Sequence, residues 1–248
     1  MLLAVDTSTP QIGLALYDGA QVLAESLWTS KARHTVELAP AVSEMLAHTD
    51  LKISQLKALA VAVGPGSFTA LRVGISFIKG LAFAQSLPVI GVNTLDVVAA
   101  SQAPVDLPLV CVLPAGRGRL AVSWFNNQLP KNHHQAETRR IGAYPGGHGK
   151  WLPESAAQIM TAEGLAEKIT TDTIVCGDLT AAERQILKKN PLAHLVSPAM
   201  GARRPALLAE LAYLRWQAGA VDDAANLAPL YLHLADPIPD ISTGNAVV

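Results

Sequence analysis

The run Gly64-Pro65-Gly66-Ser67-Phe68-Thr69-Ala70-Leu71-Arg72-Val73-Gly74 follows an apolar stretch, Leu59-Ala60-Val61-Ala62-Val63, and leads into a small-residue-rich segment that reads as helix to about Gln85. The order is strand, tight glycine turn, helix. Glycines let a backbone turn sharply and let another backbone or a ligand come close. Ser67 stands at the N-cap position, and the free N–H groups of a first helical turn attract anions. The element either cradles a phosphate or packs a helix very closely against something. It is not a Walker loop, because the terminal Gly-Lys-Ser/Thr is missing.

On the N-terminal side, Leu2–Val5, Ile12–Leu16 and Val22–Trp28 read as three short antiparallel strands, the second closed by the turn dipeptide Asp18-Gly19. His34–His48 reads as a helix with Thr35, Leu38, Ala39, Val42 and Leu46 on one face. Ala58–Val63 and Val89–Val92 are buried strands, and Leu95–Ser101 is a helix. The proline-rich stretch 103–108 marks a boundary. A looser second pattern follows: a hairpin of Leu109–Leu113 and Leu120–Phe125 around Gly116 and Gly118, an irregular polar excursion over 126–153, helices at Ala162–Ile169 and Ala181–Lys189, and a strand at Thr173–Cys176. Ala206–Ala218 reads as an amphipathic helix with Leu207, Leu211, Leu214 and Arg215 on related turns. The expected division is an N-terminal lobe at 1–103, a smaller lobe at 104–202, a helix at 203–218 packing back on the first lobe, and a flexible tail at 236–248.

Half of the 248 residues are hydrophobic, only 16% are charged, and the net charge is −1. A basic body able to hold nucleic acid by itself is not indicated. The arginine clusters (Arg117 with Arg119, Arg139-Arg140, Arg203-Arg204) are the local candidates for RNA contact. Cys111 and Cys176 each lie inside an apolar run and read as buried strand thiols in a reducing cytoplasm. The N-terminus has no basic region followed by a long apolar core, so no signal peptide is expected, and no run reaches membrane-spanning length.

Leu3-Ala4-Val5-Asp6-Thr7-Ser8-Thr9, Arg33-His34, the glycine run through Gly74, Lys79-Gly80-Leu81-Ala82 and Gly91-Val92-Asn93-Thr94-Leu95 together resemble the TsaB (YeaZ) family. In the second half the likeness rests on Arg117-Gly118 and Pro229-Leu230-Tyr231-Leu232, with Pro114 where the family has Asp and His233 where it has Arg. The resemblance implies an α/β chain with the duplicated actin-like ATPase (ribonuclease H-like) fold: two α/β lobes, the second reduced. It also implies a role as dimerisation partner of the catalytic subunit TsaD. With the ATPase TsaE, that complex transfers a threonylcarbamoyl group to the adenosine beside the anticodon of tRNA. ATP or ADP and metal are then expected on the partner subunit, and no cofactor on the isolated chain.

The resemblance also sets this chain against the catalytic paralogue, which looks like Val-Asn-His-x-x-x-His where this chain reads Val92-Asn93-Thr94-Leu95-Asp96-Val97-Val98. Two histidines four apart on a helix can bind one metal ion. Thr94 and Val98 replace them, and the lone carboxylate of Asp96 does not make a site. No catalytic and no metal-ligating residue is therefore assigned. Asp6, Ser8 and Thr9, in a turn without glycine, and Gly177 with Asp178 read as degenerate remnants of a nucleotide site. His133, His134 and His148 read as a surface cluster. A free-standing small-molecule kinase would need an intact phosphate loop, and a metal-dependent glycoprotease-like peptidase would need metal. Neither a Gly-x-Ser-x-Gly elbow nor a His-Glu-x-x-His signature occurs.

What remains is a helix that is apolar nearly all round, which signals burial on more than one side. The expected partner-binding residues are His34, Leu38, Val42, Ala70, Val73, Gly74, Phe77, Ile78 and Leu81. The same face is expected to form a homodimer when the partner is absent, and a bulky residue at Gly74 to abolish pairing without unfolding the chain.

Overall fold

The computed structural model describes residues 1–31, 33–127 and 151–232. Strands β1 (Leu2–Asp6), β2 (Gln11–Tyr17) and β3 (Val22–Thr29) form an antiparallel meander, followed by helix α1 (His34–His48). Strand β4 (Ala58–Gly64), helix α2 (Phe68–Gln85), strand β5 (Val89–Asn93) and helix α3 (Thr94–Ala100) complete the first lobe. β4 pairs with β1 and β5 in parallel, giving the order β3-β2-β1-β4-β5.

The second lobe repeats this plan. β6 (Leu109–Gly116) and β7 (Arg119–Asn127) form a hairpin, and the third position is shared by two three-residue strands, β8 (Trp151–Pro153) and β9 (Gln158–Met160), both paired with β7. α4 (Ala162–Lys168), β10 (Thr173–Gly177), α5 (Ala181–Leu187), β11 (Ala193–Leu195) and α6 (Pro205–Gln217) follow. β10 lies parallel between β6 and β11, so the order β8-β7-β6-β10-β11 matches the first sheet position by position. The duplication implied by the family resemblance is present, with a longer hairpin in the second copy but short outer strands and with α4 and α5 of seven residues each in place of the long α1 and α2. The expected histidine cluster and most of the 126–153 excursion lie outside the described residues, as does the 236–248 tail.

The two faces of the first sheet differ because the strand alternation differs. On one side Leu3, Val5, Ile12, Leu14, Leu16, Leu59 and Val61 pack beneath α1 and α2. On the other, Leu2, Ala4, Ala15, Ala58, Ala60 and Ala62 leave a face of mostly small residues. α6 settles on that face through Leu208, Ala209 and Ala212. Alternate strand residues point to opposite faces, so the run Ala58-Leu59-Ala60-Val61-Ala62-Val63 sorts itself into a small face and a large one. Small residues on both partners let α6 lie close. Leu207, Leu211 and Leu214 are only half-buried, so the expected leucine stripe is not the buried face of α6; the alanine stripe is.

α3 does for the second sheet what α6 does for the first. Leu95, Val98 and Ala99 pack with Leu109, Cys111, Leu113, Phe125 and Cys176. α4 and α5 cover the opposite face over Val110, Val112, Val122 and Val175. Each lobe thus places its last helix at the joint between the two. Cys111 and Cys176 are opposite one another on neighbouring strands, both buried, both free, and burial pushes both thiols up, Cys176 to about 11.

α2 is sided. Ile78 is fully buried over the sheet, whereas Phe83 on the same helix is 91% exposed. Replacing Ile78 by Ala is expected to cost about 2–5 kcal/mol through lost burial and the cavity left behind. Phe83→Ala should change stability by no more than about 0.5 kcal/mol. Urea denaturation of the two variants checks both values.

Candidate functional site

Two places combine the residues singled out from the sequence: the exposed side of α1 and α2, and the cleft between the lobes.

The α2 end of the first place is set by the glycine turn. Gly64 has φ +111, a conformation that side chains rarely adopt, and Leu71 and Leu230 crowd the position where its Cβ would stand. A Cβ on Gly66 would overlap the carbonyl of Ser8, whose oxygen accepts a 2.6 Å hydrogen bond from the Ser67 amide. Ser67 is the N-cap residue, but its side chain makes no cap hydrogen bond. Over the first two turns of the helix, Thr7 packs against Gly74 and donates to Ala70 O at 2.7 Å. The glycines therefore serve close packing of α2 on the β1–β2 turn.

This packing takes up much of the expected partner face. His34, Leu38, Val42, Ala70, Gly74 and Ile78 are buried in the chain's own core. A bulky residue at Gly74 would strike Thr7, so it perturbs the fold itself. His34 is held by the Thr9 carbonyl, 3.1 Å from Nε2, which places the ring proton on that nitrogen. Only Val73, Phe77 and Leu81 of the expected set remain half-exposed. The accessible feature is a groove of about 460 Å3 between the helices, lined by Thr35, Leu38, Ala39, Phe68, Thr69, Arg72, Val73, Ser76 and Phe77. At its end the Arg72 guanidinium lies 3.6 Å from the centre of the Phe68 ring and Nε donates to the Tyr231 hydroxyl at 3.0 Å. Tyr231 reaches this point because the chain after α6 returns across the first lobe. The Asp222 amide donates to Val89 O, Lys79 Nζ donates to the carbonyls of Ala225 and Leu227, and the Leu230 amide donates to Val63 O. No local sequence signal marks Arg72 and Tyr231 as a pair, since 159 positions separate them.

The cleft brings Asp6, Thr9 and Asp178 together around Arg203, which the sequence places among possible RNA contacts. Arg203 is 1% exposed. Its Nε donates to Asp6 at 3.0 Å, Nη1 to Asp178, and Nη2 to Thr9 Oγ1 at 2.6 Å. Burial alone would lower its pKa, but the Asp6 and Asp178 carboxylates outweigh that and raise it. Arg203 is therefore out of reach of RNA. Arg204 beside it is exposed and tied to Glu25, and Arg139-Arg140 lies outside the described residues.

The rest of the turn is bonded internally as well. Asp6 Oδ1 accepts from the Ser8 amide at 2.8 Å and from its hydroxyl at 2.5 Å, and all four residues from Asp6 to Thr9 are buried. A phosphate hairpin needs amides that face solvent, and these do not. At Gly177, φ is +126 and a Cβ would overlap the Val112 carbonyl, so this glycine serves the pairing of β10 with β6. The residues present do not fit a nucleotide phosphate. Among the described residues no group of three or more His, Cys, Asp or Glu side chains is placed to hold a metal ion. Thr94 is engaged in holding the Gly64 amide at 3.1 Å, and Val98 lies in the apolar joint between the lobes.

Comparison with known proteins agrees with this fold. The family model described as TsaD, tRNA N6-adenosine threonylcarbamoyltransferase, matches residues 21–236. The tRNA threonylcarbamoyladenosine biosynthesis protein TsaB of Haemophilus influenzae is 30% identical over 93% of this chain and 92% of its own length. The chain belongs to the TsaB family. The Bacillus subtilis TsaB is 34% identical over 119 residues, a match that covers 48% of this chain and 52% of that protein. The solved structure of YeaZ from Pseudomonas aeruginosa superposes with a TM-score of 0.68 at 21% identity, covering 92% of this chain and 99% of that one, and so shares the fold. Among the described residues of this TsaB-family chain, no helix is long and apolar enough to cross a membrane.

One carboxyl near the joint titrates abnormally. Burial pushes Asp96, on α3, from 3.8 up to about 6, and the Arg215 charge pulls only partly back. The folded chain then keeps a proton that the unfolded chain releases, so stability falls as pH rises between about 4 and about 6. Asp96→Asn removes this penalty. The variant is expected to be more stable than the parent near neutral pH by up to about 3 kcal/mol, the free-energy equivalent of the raised proton affinity, and to match it near pH 4. Thermal denaturation across that range checks the slope.

Proposed function

We propose that this chain is a non-catalytic subunit that docks a TsaD-type enzyme and supports its transfer of threonylcarbamoyl to the adenosine beside the anticodon of tRNA. The observation that carries the reading is the apolar α1–α2 groove, combined with membership of a family whose H. influenzae and B. subtilis members are named for threonylcarbamoyladenosine biosynthesis. Val73 and Phe77 supply apolar area at the centre of the groove, while Thr35, Thr69 and Ser76 are small enough to let another helix approach. The partner-binding set is thus revised to Val73, Phe77 and Leu81 with Thr35, Ala39, Thr69, Arg72 and Ser76.

What speaks against catalysis by this chain is the use of its polar groups. Asp6, Thr9 and Asp178 are bound to Arg203, and Thr94 holds a backbone amide. A kinase would need Asp6, Thr9 and Asp178 free for a nucleotide, and a metal-dependent peptidase would need metal ligands where Thr94 and Val98 stand. ATP or ADP and metal belong, on this reading, to the partner, with a TsaE-type ATPase completing the assembly and tRNA reached through the complex. A homodimer through the same groove is the state of the chain without its partner, and the cytoplasm, where tRNA is modified, is its location.

Reconstitution tests the function: the TsaD-type and TsaE-type proteins of the same organism should modify tRNA well only when this chain is present. Full modification without it would overturn the reading. For the groove, Val73→Asp and Ser76→Arg are expected to weaken binding of the TsaD-type subunit at least about tenfold, or 1.4 kcal/mol, with little change in the unfolding midpoint. Titration calorimetry measures the affinity, and unchanged binding in folded variants would remove the groove from the interface.

A further inference from the structure

The two lobes are joined in two ways of opposite character. On one side of the chain crossing, α3 packs its apolar residues into the second sheet, a largely apolar joint edged by the Ser101 hydroxyl 3.7 Å from Cys176 Sγ and by Trp151 Nε1 donating to Gln102 O at 3.0 Å. On the other side stands a single charged side chain. Arg203 precedes α6, which lies on the first sheet, and it binds Asp6 at the end of β1 and Asp178 just beyond β10 of the other sheet. Of the ion pairs among the described residues, Arg203–Asp178 is the one that ties the first lobe and its α6 to the second sheet. The guanidinium has its Nε and both terminal nitrogens engaged and is 1% exposed.

We propose that Arg203 is a built-in latch that holds the cleft between the lobes shut, standing where a ligand would otherwise have to bridge two carboxylates. A fork of fixed geometry suits this task, because one planar group can satisfy acceptors from three directions at once. Closure then needs no ligand, and the α1–α2 side of the first lobe keeps one arrangement relative to the second. This inference does not rest on the proposed function.

Hydrogen exchange on the full chain, followed by mass spectrometry and paired with small-angle scattering, tests it. Asp178→Asn takes the charge from the second-lobe end of the latch, leaving at most a neutral hydrogen bond there, and leaves the Asp6–Arg203 pair intact. Exchange at the Ser8 and Asp178 amides is expected to rise at least about tenfold, with α1 unchanged and a larger radius of gyration. Arg203→Met should do the same, and Arg203→Lys should restore protection in part. Magnesium and ATP added to the parent chain should leave its exchange and scattering unchanged. If Arg203→Met does not fold, Asp178→Asn decides alone. Unaltered exchange and scattering in a folded Asp178→Asn chain would overturn the latch. So would a uniform rise across the whole protein, which would make the pair a general stability contact, or a ligand-driven compaction of the parent chain.

Discussion

The structure depends on one close approach, that of the Gly64-Pro65-Gly66 turn to the turn between β1 and β2. Ser67 donates to Ser8 O, Gly66 leaves room for that carbonyl, and Gly74 leaves room for Thr7 two helical turns later. These contacts fix where α2 starts and how it lies over the sheet. Everything on the outer side of α2, including the groove shared with α1, inherits its position from them. Larger side chains at Gly66 or Gly74 would lift the helix away, because well-packed interiors have no slack to absorb even one methylene without strain.

The same approach leaves the β1–β2 turn without outward-facing amides. A phosphate turn presents its amides outward. Here the β1–β2 turn is folded under α2, with each of its four residues buried and bonded within the chain. Buried charges are costly unless paired, and the pairing of buried Asp6 and Arg203 with each other and with the partly exposed Asp178 meets that need. The polar groups of the turn and of Asp178 thus meet in one ion-paired cluster between the two sheets.

The α1–α2 side shows the opposite pattern. Its buried residues are those expected of any helix on a sheet, and its accessible ones are small, hydroxylated or half-exposed apolar side chains. The returning segment around Tyr231 borders this surface through Arg72 and Phe68. The groove edge is therefore built by residues from opposite ends of the chain, and its shape depends on α6 and the segment after it being docked.

The strand–turn–helix element, the antiparallel opening, the repeat of the plan in the second half and the helix ends were all legible locally, because they follow from periodicity and turn chemistry over a few residues. The family likeness was legible in the same runs. On α6 the half-buried Leu207, Leu211 and Leu214 flank the buried stripe of Leu208, Ala209 and Ala212 and do not form it. The alternation of Ala58, Ala60 and Ala62 already marked a strand face that only a close helix can cover, but which helix does so is a matter of long-range packing. The partner face is also narrower than helical spacing suggests. Apolar residues at that spacing identify a helix with more than one buried side, but spacing cannot say which side meets the chain's own sheet. Arg203 departs furthest from its local context: a basic pair in sequence looks like solvated surface, and only its arrival between Asp6 and Asp178, 197 and 25 positions away, turns it into a buried cross-link. The sequence by itself determined the longer elements, their order and the family, since those are set by local sterics and hydrophobic period, whereas the three-residue strands β8, β9 and β11 are too short to show a period and exist only by pairing with β7 and β10. Tertiary structure alone decided which polar groups are paired within the chain, which apolar ones stay accessible and what closes the cleft, since burial and charge pairing exist only once distant segments meet.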